Sequence, residues 1–279
     1  MSHLEGNFAV SKDISLFYQA WLPDRRAKAV VVLVHGLADH SGRYGNVVDH
    51  LVPRGFAVWS FDQRGHGRSP GTRCYAERFS NLTHDLNTFV AVVAERNPDY
   101  PLFIVGHSMG ALESATFVAE HPQHITGVAL SGILIQTGQS VPKLLLALAG
   151  VISALLPRLG VQRLECEAIS RDPAVVQAYF KDPLVYNGKI PARMGAELIK
   201  AMATVQTKFR DIKMPVLLLH GGADRLADPV GSQIMYDSVA STDKEIHIFP
   251  GCYHEIFNEP CREFVLGTLS QWLENHLPA

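Results

Sequence analysis

Leu102-Phe103-Ile104-Val105 runs into Gly106-His107-Ser108-Met109-Gly110, and that run opens onto Ala111-Leu112-Glu113-Ser114-Ala115-Thr116-Phe117. A short apolar run, a glycine-flanked serine and a helix-forming run read as strand, sharp turn and helix. The serine stands at the tip. A turn this tight strains the serine backbone, and side chains two positions to either side would collide with strand or helix, which is what the glycines avoid. The helix behind the serine aims free N–H groups and its positive dipole end at any negative charge that develops there. Ser108 is therefore the candidate nucleophile. The alternative, a serine that only caps the helix N-terminus, does not require the two flanking glycines.

A serine hydroxyl needs a base, and the base needs an orienting acid. Met214-Pro215-Val216-Leu217-Leu218-Leu219-His220 reads as a buried strand running into the loop Gly221-Gly222-Ala223-Asp224. Lys244-Glu245-Ile246-His247-Ile248-Phe249 reads as the next strand and ends in Pro250-Gly251-Cys252-Tyr253-His254-Glu255. Parallel strands put such loops on one rim of the sheet, so Ser108, Asp224 and His254 converge there, in the chain order Ser, Asp, His. Asp228 is a rival for the acid. Asp224 lies closer to the strand end, whereas Asp228 precedes Pro229, a pair that often marks a turn or a helix start.

An oxyanion site needs two backbone donors. One is the N–H of Met109, next after the serine. The strand Ala29-Val30-Val31-Val32-Leu33-Val34 leads into His35-Gly36-Leu37, and the N–H of Leu37 is the second candidate. His35 is read as structural, bonding to loop backbone. Phe61-Asp62-Gln63-Arg64-Gly65-His66-Gly67-Arg68-Ser69 lacks the Gly-Lys-Ser/Thr ending of a phosphate-binding loop, and Asp62 and Arg64 are expected to brace neighbouring loops.

Strands near Phe8-Val10 and Ile14-Trp21, Val30-Val34, Phe56-Ser60, residues 102–105 and Gly127-Leu130 alternate with helices over about Tyr44-Arg54 and Leu82-Glu95. This is the pattern of an α/β sheet with crossover helices. It breaks over residues 136–211, where no strand is evident, and resumes at Pro215. The expected organisation is a core from residues 1–135 and 212–279 and an inserted helical cap from 136–211. The cap's first helix, Pro142 to Leu156, is apolar nearly all round. It either packs on the core or turns an apolar face to lipid or a lipid-like ligand.

With 47% hydrophobic and 19% charged residues in a chain of 279, the protein has ample material for a core. A net charge of −2 gives no reason to expect nucleic acid or an anionic membrane surface as partner. The four cysteines have no paired spacing; neither CxxC nor HExxH occurs, so no metal or cofactor is expected. Cys252 is expected to be a packed thiol beside His254. Met1-Ser2-His3-Leu4-Glu5-Gly6 has no charged start followed by an apolar run, which makes the cytoplasm the expected location. The uncharged run Leu144 to Leu156 is too short to cross a bilayer.

Taken together, His35-Gly36-Leu37-Ala38-Asp39-His40-Ser41-Gly42-Arg43-Tyr44, Asp62 to Ser69, the Gly106 to Gly110 elbow, Ile169-Ser170-Arg171-Asp172-Pro173, Asp182-Pro183-Leu184-Val185 and Tyr253-His254-Glu255 resemble the α/β-hydrolase superfamily. Within it they are similar to the monoacylglycerol lipases and related lysophospholipases. The resemblance runs nearly end to end. Ala111, Asp39 and Cys252 depart from it, standing where relatives often have glycine, glutamate and a larger apolar residue. It implies a mostly parallel central sheet flanked by helices, with the helical cap as a lid. It also implies a cofactor-free serine esterase, an acyl tunnel under the lid and a polar alcohol pocket near which Asp39 and Arg43 lie; a surface or supporting ion pair is the other reading of these two. Transient contact of the cap with membranes or micelles follows as a further expectation. Short-chain esters, lysophospholipids and thioesters suit the same machinery. An aminopeptidase would need an anionic pocket for the substrate amine, and a binding protein on this fold would be free to lose the triad.

Overall fold

A computed structural model describes residues 1–138 and 143–278. Eight strands form one sheet: β1 (Ser2–Ala9), β2 (Ser15–Leu22), β3 (Ala29–Val34), β4 (Phe56–Phe61), β5 (Leu102–His107), β6 (Gly127–Ser131), β9 (Val216–Gly221) and β10 (Lys244–Phe249). Their spatial order is β1-β2-β4-β3-β5-β6-β9-β10. β2 pairs antiparallel with β1 and β4, and every pairing from β4 to β10 is parallel.

The central strands are buried on both faces, which is why they read as unbroken apolar runs rather than alternating ones. The period-2 geometry still sorts their side chains. Val30, Val32 and Val34 join the core on one face of the sheet, with Leu86 and Phe89 of α2 (Phe79–Arg96) and Leu112 and Ala115 of α3 (Met109–Glu120). Ala29, Val31 and Leu33 join the core on the other, with Val47 and Leu51 of α1 (Gly45–Leu51) and Leu266 and Trp272 of α8 (Arg262–Asn275). β1 starts well before the Phe8-Val10 expected, because its N-terminal half is exposed edge strand without an apolar pattern.

Between β6 and β9 the chain leaves the sheet. It forms α4 (Lys143–Leu155), β7 (Gly160–Arg163), α5 (Pro173–Lys181), β8 (Lys189–Pro191) and α6 (Ala192–Gln206). The absence of strands expected here is corrected by the antiparallel β7–β8 ribbon. Strands of Gly-Val-Gln-Arg and Lys-Ile-Pro are too short to show a period. Pro142, the expected start of the first helix, lies outside the described residues. Met194, Leu198, Met202 and Val205 of α6 are buried in the core that covers α2 and α3, so this part of the insertion shares the sheet's own core. α4 presents one face outward: Leu148 is 44%, Val151 59% and Leu155 75% exposed. Both readings of the apolar helix hold, on different faces: one side packs against α6 with Ser153 buried, and the other exposes Leu148, Val151 and Leu155. Among the described residues no helix is long and apolar enough to cross a membrane.

Candidate active site

The strand register assembles the rim. Val34 pairs with Gly106, and His107 with Ser131, so the ends of β3, β5 and β6 lie side by side. Ser108 follows with φ 56° and ψ −119°, left-handed space that an L-residue enters only under strain. Its N–H donates to the Ser131 carbonyl at 2.9 Å, which ties the strained turn to β6. The side chain makes no capping hydrogen bond to α3, so the capping reading of Ser108 is set aside. A Cβ on Gly106 would meet Ala111 Cα at 2.7 Å, and one on Gly110 would meet the Val34 carbonyl at 2.3 Å. The two glycines thus permit the helix to start directly against β3.

The loops after β9 and β10 are laced together, with Ala223 N–H donating to the Cys252 carbonyl at 2.9 Å. A Cβ on Gly221 would sit 2.0 Å from the Tyr253 carbonyl, so glycine is required for this approach. His254 Nδ1 then meets Asp224 Oδ2 at 2.6 Å, with both side chains buried. Asp224 Oδ1 accepts from the N–H groups of Leu226 at 2.8 Å and Ala227 at 3.0 Å. Asp228 does not reach His254; its carboxylate accepts from Val230 N–H at the start of α7 (Val230–Ser238). Burial alone would push the Asp224 carboxyl up, but the charge and hydrogen bonds of His254 and His220 hold it far below the usual range. Burial likewise disfavours the His254 imidazolium, and the Asp224 carboxylate outweighs it, leaving this histidine above its ordinary 6.5. Ser108 Oγ makes no hydrogen bond to His254; catalytic contacts of this kind are commonly long before substrate binds.

The N–H groups of Leu37 and Met109 have no hydrogen-bond acceptor among the described residues. The loop that carries Leu37 is held rigidly. His35 Nδ1 donates to the Gly36 carbonyl at 2.8 Å, and its Nε2 accepts from Gln63 N–H at 2.9 Å. That is the structural role expected of His35, and burial favours its neutral form. Asp62 braces the same region, accepting from Ser41 N–H at 2.8 Å and Arg68 N–H at 2.7 Å. Arg64 forks onto Asp85 of α2 through two 2.6 Å bonds. Among the described residues no group of His, Cys, Asp or Glu is arranged to hold a metal ion.

The serine aminopeptidase, S33, family matches residues 25–261. A monoacylglycerol lipase of Mycolicibacterium smegmatis is 37% identical over 98% of this chain and 98% of its own. The rat monoglyceride lipase is 31% identical over 94% of this chain and 88% of its own. The chain belongs to the monoacylglycerol-lipase-like α/β-hydrolases. The crystal structure of the Paleococcus ferrophilus monoacylglycerol lipase superposes on this α/β-hydrolase with a TM-score of 0.86 at 33% identity, covering 94% of this chain and 99% of that one. A soluble variant of the Saccharomyces cerevisiae monoglyceride lipase, in complex with a substrate analog, gives a TM-score of 0.90 at 25% identity, covering 100% of this chain and 96% of that one.

In this hydrolase Asp39 and Arg43 meet in a buried ion network. Arg43 Nη1 donates to Asp39 Oδ1 at 3.1 Å and to Glu255 Oε1 at 2.7 Å, and its Nη2 donates to Glu255 Oε2 at 2.8 Å. The guanidinium stacks 4.5 Å above the Tyr179 ring of α5. Tyr44 O–H donates to Asp39 Oδ2 at 3.0 Å and accepts from Gly36 N–H at 3.2 Å, linking the network to the Leu37 loop. Burial opposes the charge on Asp39, yet Arg43 brings its carboxyl down to about 2. Glu255 was not singled out in the sequence, although it stands beside His254; its role depends on Arg43, 212 residues away. The two segments that resembled family lid segments are where the insertion is fastened: Asp182 accepts from His40 Nε2 at 2.9 Å, and the Ile169 carbonyl accepts from Glu255 N–H at 2.7 Å. Cys252 is packed in the core beside Ile256 and Phe257, as expected, with its sulfur close to that of Cys261.

An apolar cavity of about 140 Å³ lies between the Leu37 loop and the insertion, lined by Leu37, Leu134, Ile152, Ile199, Met202 and Leu226 among others. Its lining includes Leu37, which carries one candidate oxyanion donor, and residues of both α4 and α6.

Proposed function

We propose that the protein hydrolyses monoacylglycerols to fatty acid and glycerol through an acyl-enzyme. The observation that carries this is the buried 2.6 Å His254–Asp224 contact on the rim that also presents the strained Ser108. The sequence relatives favour monoacylglycerol over other esters. In this reading Ser108 Oγ attacks the ester carbonyl while His254 Nε2 takes its proton. Asp224 keeps Nδ1 protonated and stabilises the imidazolium. The oxyanion is held by the N–H groups of Leu37 and Met109, each worth about 3 kcal/mol in the transition state. His254 then protonates the departing glycerol alkoxide, and water activated by the same imidazole releases the fatty acid.

The acyl chain occupies the cavity beneath residues 136–211, which act as a lid. Asp39 and Arg43 border the alcohol side and shape it by holding the loop that carries Leu37. The apolar side chains exposed on α4, together with Leu156 and Leu159, are suited to resting on a membrane or micelle from which substrate is drawn. A cytoplasmic location belongs to this reading.

The test is turnover of monoacylglycerols of rising chain length, a diacylglycerol, a lysophospholipid and a short p-nitrophenyl ester, each beside Ser108→Ala. Monoacylglycerol turnover that vanishes in the variant, with little on diacylglycerol, is expected. Cleavage of the short ester alone would retain the chemistry and overturn the lipid assignment.

A further inference from the structure

His220, the penultimate residue of β9, is fully buried and takes no part in the steps above. Its Nε2 lies 3.1 Å from Asp224 Oδ2, the same oxygen that receives His254 Nδ1, and 3.2 Å from the Ala227 carbonyl. Both neighbours are pure acceptors, so Nε2 carries the proton. Nδ1 lies 2.7 Å from Ser232 Oγ on α7. That hydroxyl has no other partner among the described residues and donates to Nδ1. Ser232 therefore donates to His220, and His220 and His254 both donate to Asp224 Oδ2.

We infer that His220 is a positioning residue for the Asp224–His254 pair, with Ser232 holding it in the tautomer that donates to Asp224. This rests on the reading of that pair as the base of a serine hydrolase. Two consequences follow from the geometry. The carboxylate is tethered at both oxygens, Oδ1 by two loop N–H groups and Oδ2 by His220, so Oδ2 stays where His254 meets it. An oxygen that shares its charge between two donors also stabilises the imidazolium less than one that serves His254 alone. Loss of His220 therefore lowers turnover through misplacement and moves the acid limb of the pH profile upward. The other groups facing His254 are unchanged by such a variant: His107 at the end of β5, whose ring centroid lies 4.7 Å away, Asp39 with Arg43, and Glu255.

The experiment is the pH profile of kcat/KM on a short p-nitrophenyl ester for wild type, His220→Leu, His220→Gln and Ser232→Ala, with thermal melts alongside. His220→Leu is expected to lose about tenfold to a hundredfold in kcat, the usual scale for a group that orients a functional ligand, with its acid limb raised by about half a unit or more. His220→Gln has an amide N–H at similar reach for Oδ2 and a carbonyl for Ser232, and is expected to keep the wild-type limb and most of the rate. Ser232→Ala should show a smaller loss with the limb moved the same way. A His220→Leu profile identical to wild type, whatever its Tm, overturns the inference, as does a His220→Gln profile as displaced as that of His220→Leu. If His220→Leu does not fold, Ser232→Ala decides on the same criteria. Ser108→Ala and Asp224→Asn separate the two levels: undiminished turnover in them sinks the hydrolase reading of the site, while their loss of activity beside a normal His220→Leu sinks only the positioning role.

Discussion

Glu113 lies on α3, one turn behind the candidate nucleophile, fully buried, and neither carboxyl oxygen has a hydrogen-bond partner among the described residues. Burial, aided by the nearby Asp85 carboxylate, pushes this acid well above its ordinary 4.5, so the folded protein holds it protonated. Replacing it with methionine keeps the length and the helix preference while removing two unpaired polar atoms from a fully buried position. Each unsatisfied buried polar group costs about 1–3 kcal/mol, so with two such oxygens Glu113→Met should stabilise the protein by roughly 2–6 kcal/mol at pH 8. For a chain of this size that is about 4–12 °C in Tm, at about 2 °C per kcal/mol. The pH dependence gives a sharper check. Above pH 4.5 the unfolded chain releases this proton and the folded one retains it. Wild-type stability therefore declines with rising pH, by up to about 1.4 kcal/mol per unit, until the folded carboxyl ionises. The variant has no such loss, so its advantage must widen from pH 5 to pH 8. Urea unfolding of both proteins at the two pH values measures this. A variant less stable than wild type, or an advantage that narrows as pH rises, would refute the argument.

Arg43→Met leaves the Asp39 and Glu255 carboxylates buried without their cation and should cost about 3–5 kcal/mol; a thermal melt within 1–2 °C of wild type would show that the network does not support the loop. Because Asp224 holds His254 above 6.5, kcat/KM should fall as pH drops through an acid limb lying above that value. Asp224→Asn should move that limb down and cut kcat by about 10⁴, and an unmoved limb would assign it to another group. Ala196→Trp fills the cavity of about 140 Å³, and should reduce turnover of long-chain esters at least tenfold while sparing a short p-nitrophenyl ester. Equal losses on both would place the acyl chain elsewhere.

The sequence carried the parts of this protein that local sterics and strand period determine. The elbow was legible because only glycine fits where a Cβ would lie 2.3 Å from a strand carbonyl, and because strands buried on both faces read as continuous apolar runs. That Asp224, His254 and the candidate backbone donors would meet at one edge of the sheet was legible because parallel strands deliver their loops to one rim. Tertiary packing decided the rest. Nothing in the sequence pattern separates Asp224 from Asp228 as firmly as the laced loops do, since only the lacing turns one toward His254 and leaves the other at a helix start. Glu255 and His220 were passed over because an ionisable residue takes its role from the groups it meets in space. Arg43 lies 212 residues from Glu255, and Ser232 lies across a loop and a helix turn from His220. The short ribbon in the insertion and the exposed face of α4 were likewise open until packing chose, because a strand of three or four residues has no period and an all-apolar helix has no preferred face.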